Sequence, residues 1–270
     1  MIMVGFALAA LIGLSLGLLG GGGSILTVPV LVYVLGMAAK PAIAMSLPIV
    51  GVTSVVGAAL HWRLGNARVS TAIVFGLVSM IGAYAGAKLA VFVSGTAQLA
   101  LLAVVMLAAA VSMLRGRREE RAPGAAPAPP RLLFLAPVAL GVGVLTGLVG
   151  IGGGFLVVPA LVLLARVPMR QAVGTSLLVI AMNAAAGFAG YVGTVAIDWR
   201  FLAGFTGVAV AGALIGTALV RVIPATTLRR GFAAFLIVVG TFVLYMNRGA
   251  LTGGTSTSSA VRPAQVADSR

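Results

Sequence analysis

The chain has 270 residues, of which 61% are hydrophobic and only 8% are charged, and its mean hydropathy is +1.18. A soluble domain carries about 25% charged residues, so the composition excludes that class and indicates a multi-pass integral membrane protein. The net charge of +14 does not indicate nucleic-acid binding, because the basic residues stand at the ends of apolar segments and not on a patch with interleaved aromatic side chains.

The apolar segments predict an all-α fold. Eight of them are long enough, at about 17 to 25 residues, to cross a bilayer as helices. They cover residues 3–19, 42–60, 69–93, 97–114, 132–149, 172–192, 201–222 and 228–246. The first has neither a basic segment before it nor a small-residue cleavage site after it, so we expect it to stay in the mature protein.

Two shorter apolar segments, residues 25–36 and 155–165, each follow a glycine-rich run. At ~1.5 Å per residue each covers roughly 18 Å, well under the ~30 Å of a hydrocarbon core. We therefore expect half-helices or re-entrant arms.

The glycine-rich run occurs twice in the sequence. Residues 17–29 read GLLGGGGSILTVP, and residues 147–159, which follow at an offset of 130, read GLVGIGGGFLVVP, with eight of thirteen positions identical. The same offset pairs Ser46 with Ser176 and Thr53 with Asn183. We predict two internal repeats with glycine-broken helices: repeat 1 over 1–114, a basic, proline-rich linker over 115–131, repeat 2 over 132–248 and a disordered tail over 249–270.

A glycine run between helices is often only a flexible turn, and that interpretation stays open. Here the glycines interrupt a hydrophobic tract, and backbone opened inside a bilayer is tolerated only where it is buried in protein or lines a cavity. Interrupted helices at matching positions of two repeats indicate a transporter's binding site. The N–H groups where each short helix starts, near Ser24 and Gly154, would then face an anion.

The orientation of the repeats depends on how the short arms are counted. If they do not cross, the halves are parallel repeats, and ten basic residues lie on one side against seven on the other. If each counts as a crossing, the repeats are inverted, and the positive-inside bias favours this arrangement, with both termini outside. One face then carries Arg63, Arg68, Arg115, Arg117, Arg118, Arg121, Arg131, Arg166, Arg170, Arg221, Arg229 and Arg230, opposite Lys40, Lys88, Arg200 and Arg248.

The predicted spans contain no acidic side chain. His61 is the only histidine, and we expect it in an interfacial loop beside Trp62 and Arg63, without the partners of a catalytic triad. The chain has no cysteine and no set of metal ligands. We therefore predict no enzyme, no catalytic residue, no metal and no cofactor. The four acidic residues lie in the linker, in the tail or at a membrane edge, which leaves no buried carboxylate for a proton or sodium relay: Glu119, Glu120, Asp268 and Asp198.

These features resemble the sulfite exporter TauE/SafE family of membrane permeases. The resemblance rests on the doubled Gly-x-x-Gly-x-Gly-Gly-x-x-x-x-Val-Pro motif and on VGTSL at residues 173–177, with AMSL at residues 44–47 as a weaker counterpart, and it covers about residues 1–246. It implies movement of small sulfur-containing or carboxylated anions such as sulfite, sulfoacetate and taurine-derived sulfonates. Pro41 and Met45 replace the second half's Gln171 and Thr175, so we expect a less polar first-half site.

We predict a secondary transporter of small organic or inorganic anions, with sulfite and organosulfonates as the expected substrates, working by alternating access in the inner (plasma) membrane. A passive anion channel and a non-transporting scaffold, in which the glycines serve only helix packing, stay open as alternatives. The expected partners are the anion and the lipid bilayer and not nucleic acid, and a homo-oligomer stays open. The predicted substrate-binding residues surround the two breaks: Gly20, Gly22, Gly23, Ser24, Ser46, Gly152, Gly153, Gly154, Thr175, Ser176 and Asn183.

Overall fold

The computed structural model describes residues 2–115, 132–149, 154–165, 167–193, 195–220, 222–246 and 248. The predicted linker beyond Arg115 and the predicted tail lie outside these residues. The described chain forms helices and no strands, which confirms the all-α fold. The helices are α1 (Ile2–Leu19), α2 (Gly22–Pro29), α3 (Ala39–Arg63), α4 (Val69–Leu89), α5 (Gly95–Arg115), α6 (Leu132–Val149), α7 (Gly154–Pro159), α8 (Met169–Tyr191), α9 (Trp199–Leu219) and α10 (Ala225–Met246).

Six described helices are long and apolar enough to cross a membrane by length and composition, namely α3, α4, α5, α8, α9 and α10. The other two predicted spans form α1 and α6, in which the apolar stretches Met3–Leu19 and Ala136–Val149 are shorter. Large apolar side chains such as Ile81, Val104 and Val238 are exposed on the outside, as lipid-facing helices require. The chain is therefore a multi-pass membrane protein.

The two short arms are helices, as predicted, and each changes its winding at a proline. Pro29 lacks an N–H donor and its ring crowds the carbonyl four residues earlier, so the helix continues as a π turn over Val30–Val34. In that turn the N–H of Leu35 donates to the carbonyl of Val30 at 3.1 Å. The second arm continues after its own proline in the same way, as a π turn over Ala160–Leu164.

Helices α3 and α8 run antiparallel through the centre of the bundle. Gly51 faces Ala184 closely enough that a Cβ on the glycine would lie 3.2 Å from the alanine Cβ. Gly57 meets Leu177 in the same way, at 3.1 Å. Small residues thus allow the two most buried helices to pack directly against each other.

Helix α1 packs on α9, and α6 packs on α4, through glycines in direct contact with backbone. A Cβ on Gly17 would collide with the carbonyl of Ala213, and a Cβ on Gly147 would collide with the carbonyl of Ala83. The offset of 130 relates the two contacts, because Gly17 corresponds to Gly147 and Ala83 corresponds to Ala213. This equivalence supports the predicted repeats, which stay a prediction.

One end of the bundle gathers arginines, and we call it the arginine end. Arg68, in the loop between α3 and α4, donates from Nε to Oε1 of Gln171 near the start of α8, at 2.6 Å. Arg229, near the start of α10, donates from Nη2 to the carbonyl of Met113 near the end of α5, at 2.6 Å. Arg170 joins the start of α8 to the segment before α10 through the carbonyl of Ile223.

The opposite end carries the lysines, and we call it the lysine end. Lys40, near the start of α3, donates to the carbonyl of Val91 just past the end of α4, at 3.2 Å. Trp199, next to Arg200 at the start of α9, packs edge-on against Phe188 near the end of α8. The described basic residues therefore divide between the two ends as the inverted-repeat arrangement predicts.

Each short arm returns to the end at which its preceding helix starts. A Cβ on Gly5 would lie 2.7 Å from a methyl of Leu35, so α1 begins beside the point where α2 and its π turn finish, at the lysine end. The equivalent pair, α6 and α7, leads back to the start of α8 at the arginine end. Two hairpins thus enter the bundle from opposite ends.

Candidate functional site

The first glycine break lies inside the bundle and touches the second half of the chain. Gly20 adopts φ +75°, a left-handed conformation that glycine takes without steric cost. A Cβ on Gly20 would lie 2.7 Å from Oγ of Ser176 and 2.8 Å from the carbonyl oxygen of Val173. Ser176 is about two helical turns from the start of α8. The break therefore packs tightly against α8, and only glycine fits at position 20.

The start of α7 lies against this break. A Cβ on Gly154 would come 2.7 Å from the Cα of Gly21 and would collide with a methyl of Ile180 on α8. The structure therefore brings Gly20, Gly154 and Ser176 of the predicted site together. The predicted residues Gly152 and Gly153 lie outside the described residues.

The N-terminus of α2 has no side-chain cap. Gly21 is the N-cap residue and has no side chain that could cap the helix. The Ser24 hydroxyl donates to the Gly21 carbonyl at 2.7 Å. The first N–H groups of an uncapped helix carry partial positive charge. A Cβ on Gly22 would meet Leu19, and a Cβ on Gly23 would meet the carbonyl of Ile12. Both glycines therefore also allow α2 to pack against α1.

The two predicted serines make the same local hydrogen bond. Ser46 donates to the carbonyl of Ile43 at 2.7 Å, and Ser176 donates to the carbonyl of Val173 at 2.8 Å. Such bonds to a carbonyl three residues earlier are common for serine in helices. In this arrangement each hydroxyl offers lone pairs, and it must rotate before it can donate to an anion.

Asn183 is the predicted site residue with an unused donor. It is fully buried, and its Oδ1 accepts a hydrogen bond from the Ser79 hydroxyl of α4 at 2.6 Å. Its Nδ2 has no hydrogen-bond partner among the described residues. A buried donor without an acceptor costs about 1 to 3 kcal/mol. Asn183 stands one turn after Ile180, the residue that touches Gly154.

Thr175 points away from Ser176 and contacts a loop. Its Oγ1 accepts a hydrogen bond from the backbone N–H of Arg68 at 2.9 Å. Consecutive helix residues do not share a face, and this separates the two hydroxyls. Thr175 therefore lies on the surface that receives the loop between α3 and α4, at the arginine end.

The expectation that His61 lies in an interfacial loop is wrong. Helix α3 continues to Arg63, and the imidazole is buried with 0% exposure, whereas the neighbouring Trp62 is 66% exposed. The reason is the helical twist, which turns adjacent side chains to different faces. Nε2 of His61 lies 2.9 Å from the carbonyl oxygen of Gly17, the first residue of the glycine motif. The sequence did contain a signal for this position, because the offset of 130 pairs His61 with Tyr191. In the structure Tyr191 is buried as well.

Two further buried hydroxyls, one of them beside the first glycine motif, were missed from the sequence. Ser54 stands two helical turns before His61 on α3, and its Oγ has no partner among the described residues. Thr217 of α9 also has an unpartnered Oγ1, which would lie 3.0 Å from a Cβ on Gly17. The residue that the offset of 130 pairs with each of them is not polar, so no sequence pattern indicated these hydroxyls.

The site is a set of neutral hydrogen-bonding groups and partial charges. Asp198 lies at the lysine end, where its carboxylate caps α9 by accepting from the N–H groups of Arg200 and Phe201 at 3.0 and 3.1 Å. Across the described ranges no group of three or more His, Cys, Asp or Glu side chains could hold a metal ion.

The sequence model of a family described as "Sulfite exporter TauE/SafE" matches residues 5–243. The chain belongs to the sulfite exporter TauE/SafE family. This confirms the resemblance that the doubled glycine motif indicated, and it places the chain in a family of membrane transporters.

Curated relatives of this TauE/SafE protein are similar over most of their length. A "Probable membrane transporter protein" of Xylella fastidiosa (strain 9a5c) is 34% identical over 248 residues, covering 89% of this chain and 94% of the relative. The "Probable membrane transporter protein YdhB" of Bacillus subtilis (strain 168) is 25% identical over 243 residues, covering 87% and 97%. The "Probable membrane transporter protein MJ0441" of Methanocaldococcus jannaschii is 28% identical over 200 residues, covering 71% of each chain. No solved structure matches the chain.

The described residues of this candidate site in the TauE/SafE protein offer hydrogen bonding. The amide of Asn183 and the first N–H groups of α2 are donors, and the hydroxyls of Ser24 and Ser176, which now donate to backbone carbonyls, can donate to a ligand after rotation. Donors in a buried place favour a ligand that only accepts hydrogen bonds, and an anion is such a ligand.

Proposed function

We propose that this protein is a secondary transporter of small anions, with sulfite and organosulfonates as the substrate class. The family description supports a sulfur-containing anion. The observation that carries the proposal is the buried amide nitrogen of Asn183, which has no acceptor among the described residues and stands one turn along α8 from Ile180, the residue that touches Gly154. A sulfonate oxygen bound there would remove the cost of that unpaired donor.

Charge also supports an anion. The N-terminus of α2 carries about half a unit of positive charge, and its low-dielectric surroundings strengthen the interaction with a bound anion. Asp198, the described carboxylate, lies at the lysine end and is occupied as a helix cap. An anion between the breaks therefore meets donors and no buried negative charge from the described residues.

The packing indicates which parts move if access alternates. Helices α1 and α9, like α4 and α6, are in backbone contact at Gly17 and Gly147, so separating either pair would break close backbone packing. We infer that α1 moves with α9 and α4 moves with α6, although each pair joins helices from different repeats. The anion would pass as these two bodies turn about α3 and α8.

The proposed location is the inner (plasma) membrane. The positive-inside rule places the arginine end in the cytoplasm and the lysine end outside. Helix α1 starts at the lysine end, so the N-terminus would lie outside. We propose no catalytic activity, because the described site contains no nucleophile paired with a base.

Thermal unfolding of the purified protein in a panel of anions tests the proposal. A bound ligand stabilises the folded state by about 2.7 kcal/mol at a hundred times its dissociation constant. We expect sulfite and sulfoacetate to raise the unfolding temperature and chloride at equal ionic strength to leave it unchanged. Asn183→Leu should weaken this stabilisation, with Thr53→Val as a matched control, because Thr53 is the repeat equivalent whose hydroxyl is already bonded to the carbonyl of Ile49 at 2.7 Å. Equal stabilisation of wild type and Asn183→Leu would remove Asn183 from the site.

A further inference from the structure

His61 has one ring nitrogen fixed by the glycine break and one left unused. Nε2 lies 2.9 Å from the carbonyl oxygen of Gly17, and because a carbonyl only accepts hydrogen bonds, Nε2 carries a proton. In the neutral imidazole Nδ1 is then an acceptor, and it is buried without a partner among the described residues. The ring therefore offers one free lone pair inside the membrane domain.

The ring stands between the first break and α8. A Cβ on Gly174 would lie 2.9 Å from the Cβ of His61, so the backbone of His61 packs directly on α8. The next residue toward the start of α8 is Val173, which contacts Gly20. His61 and the break thus meet adjacent residues of the same helix. The imidazole is next to the proposed anion site without being one of its predicted ligands.

Among the described residues, the elements around His61 bring no negative side chain to it. Helices α1 and α2 contain no titratable residue, and Asp198 lies at the other end of the bundle. The loop after α3 carries Arg68, whose Nε is bonded to Gln171. The remaining titratable groups of the packed elements are Arg63 and Arg170 at the arginine end, and Lys40, Tyr191 and Arg200 toward the lysine end.

Adding a proton to Nδ1 would therefore create a buried positive charge with no described counter-ion. A buried charge is costly unless it is paired, so protonation needs an anion close by. The anion in turn binds more tightly once the imidazolium is present, because linkage between two ligands is reciprocal. The repeat equivalent Tyr191 cannot do this, because a phenol stays neutral near pH 7.

We propose that His61 takes up a proton together with the substrate anion, so that transport is coupled to protons. The proton comes from the solution at the arginine end, since α3 ends two residues later at Arg63, and it adds to the Nδ1 lone pair. Nε2–H stays on the Gly17 carbonyl throughout. The proton leaves Nδ1 when the anion leaves the break. This inference rests on the proposed transport of anions.

Uptake of radiolabelled sulfoacetate into proteoliposomes tests the coupling, because this dianion keeps its charge between about pH 5 and 8, the window in which histidine titrates. The decisive variant is His61→Gln, whose side-chain amide can still donate to the Gly17 carbonyl but cannot take a proton. We expect the wild type to bind sulfoacetate about tenfold more tightly at the acidic end of the window and to accumulate it in response to a proton gradient. His61→Gln should show neither response while still carrying sulfoacetate downhill, and Tyr191→Phe should keep both.

The single histidine gives a second readout that needs no variant. In protein labelled with ¹⁵N-histidine, one imidazole contributes every ring signal. We expect the neutral Nε2–H form near neutral pH without ligand, and a doubly protonated ring at the same pH with saturating sulfoacetate. A ring that stays neutral in the bound protein, or a His61→Gln variant with full proton-driven accumulation, would overturn the proposal. Absence of sulfoacetate binding and uptake in the wild type itself would instead refute the proposed function.

Discussion

Gly20→Ala should damage both the fold and transport, because two separate penalties meet at this residue. Its φ of +75° costs an alanine about 1 to 2 kcal/mol. The added Cβ would also lie 2.7 Å from Oγ of Ser176 and 2.8 Å from the Val173 carbonyl, an overpacking that costs typically 1 to 3 kcal/mol more. We expect a total loss of about 2 to 5 kcal/mol in the free energy of unfolding.

Gly36→Ala is the matched control. Gly36 has φ +71°, but a Cβ there meets nothing within 4 Å, so only the backbone penalty applies. Thermal unfolding in detergent and sulfoacetate uptake should be measured for both variants at equal protein levels. Gly36→Ala should lose about 1 to 2 kcal/mol and keep wild-type uptake, whereas Gly20→Ala should lose more and transport poorly.

A double variant separates contact from general instability. Removing the Ser176 hydroxyl relieves the nearer clash, so Gly20→Ala with Ser176→Ala should be more stable than the two single losses predict, by an interaction energy of about 0.5 kcal/mol or more. If Gly20→Ala and Gly36→Ala are equally stable and transport equally well, the break does not press against α8 and the reasoning is refuted.

Three further outcomes follow from the packing and the caps. Gly147→Ala should destabilise the protein by about 1 to 3 kcal/mol because its Cβ collides with the Ala83 carbonyl, while Gly141→Ala on the same helix, with nothing within 4 Å, should be neutral or stabilising; thermal unfolding distinguishes them. Asp198→Asn should keep normal uptake, because asparagine caps a helix as well as aspartate does, and loss of uptake at normal protein levels would reveal a role beyond capping. Ser176→Ala should raise the half-saturation concentration for sulfoacetate more than Ser46→Ala does, since Ser176 touches the first break; equal, negligible effects would assign both serines to helix packing.

Much of the fold could be predicted because glycine and proline act locally. The glycine run stops α1 at Leu19 whatever surrounds it, and Pro29 limits the regular part of the short arm. The distribution of arginine and lysine predicted which helix ends lie at the same end of the bundle, because those side chains must reach the membrane surface wherever the helices pack. Each of these signals is contained in a few neighbouring residues.

Side-chain direction and contacts between the halves could not be predicted. Thr175 and Ser176 are adjacent in sequence but face different neighbours, and His61 turns inward beside an exposed Trp62. The contact of Gly20 with Ser176 joins residues far apart in the chain. Such contacts depend on how helices are rotated against each other, and the uniformly apolar composition of a membrane helix does not specify that rotation.

The concentration dependence of sulfoacetate uptake in proteoliposomes, compared between wild type and Asn183→Leu, tests the central claim most directly. If the anion is held where the glycine breaks meet, wild-type uptake saturates, and loss of one hydrogen bond to a charged ligand, about 1.5 to 3 kcal/mol, raises the half-saturation concentration roughly tenfold to a hundredfold. Uptake that rises linearly with concentration in the wild type, or the same half-saturation concentration in both proteins, would contradict a transporter that binds its anion at this site.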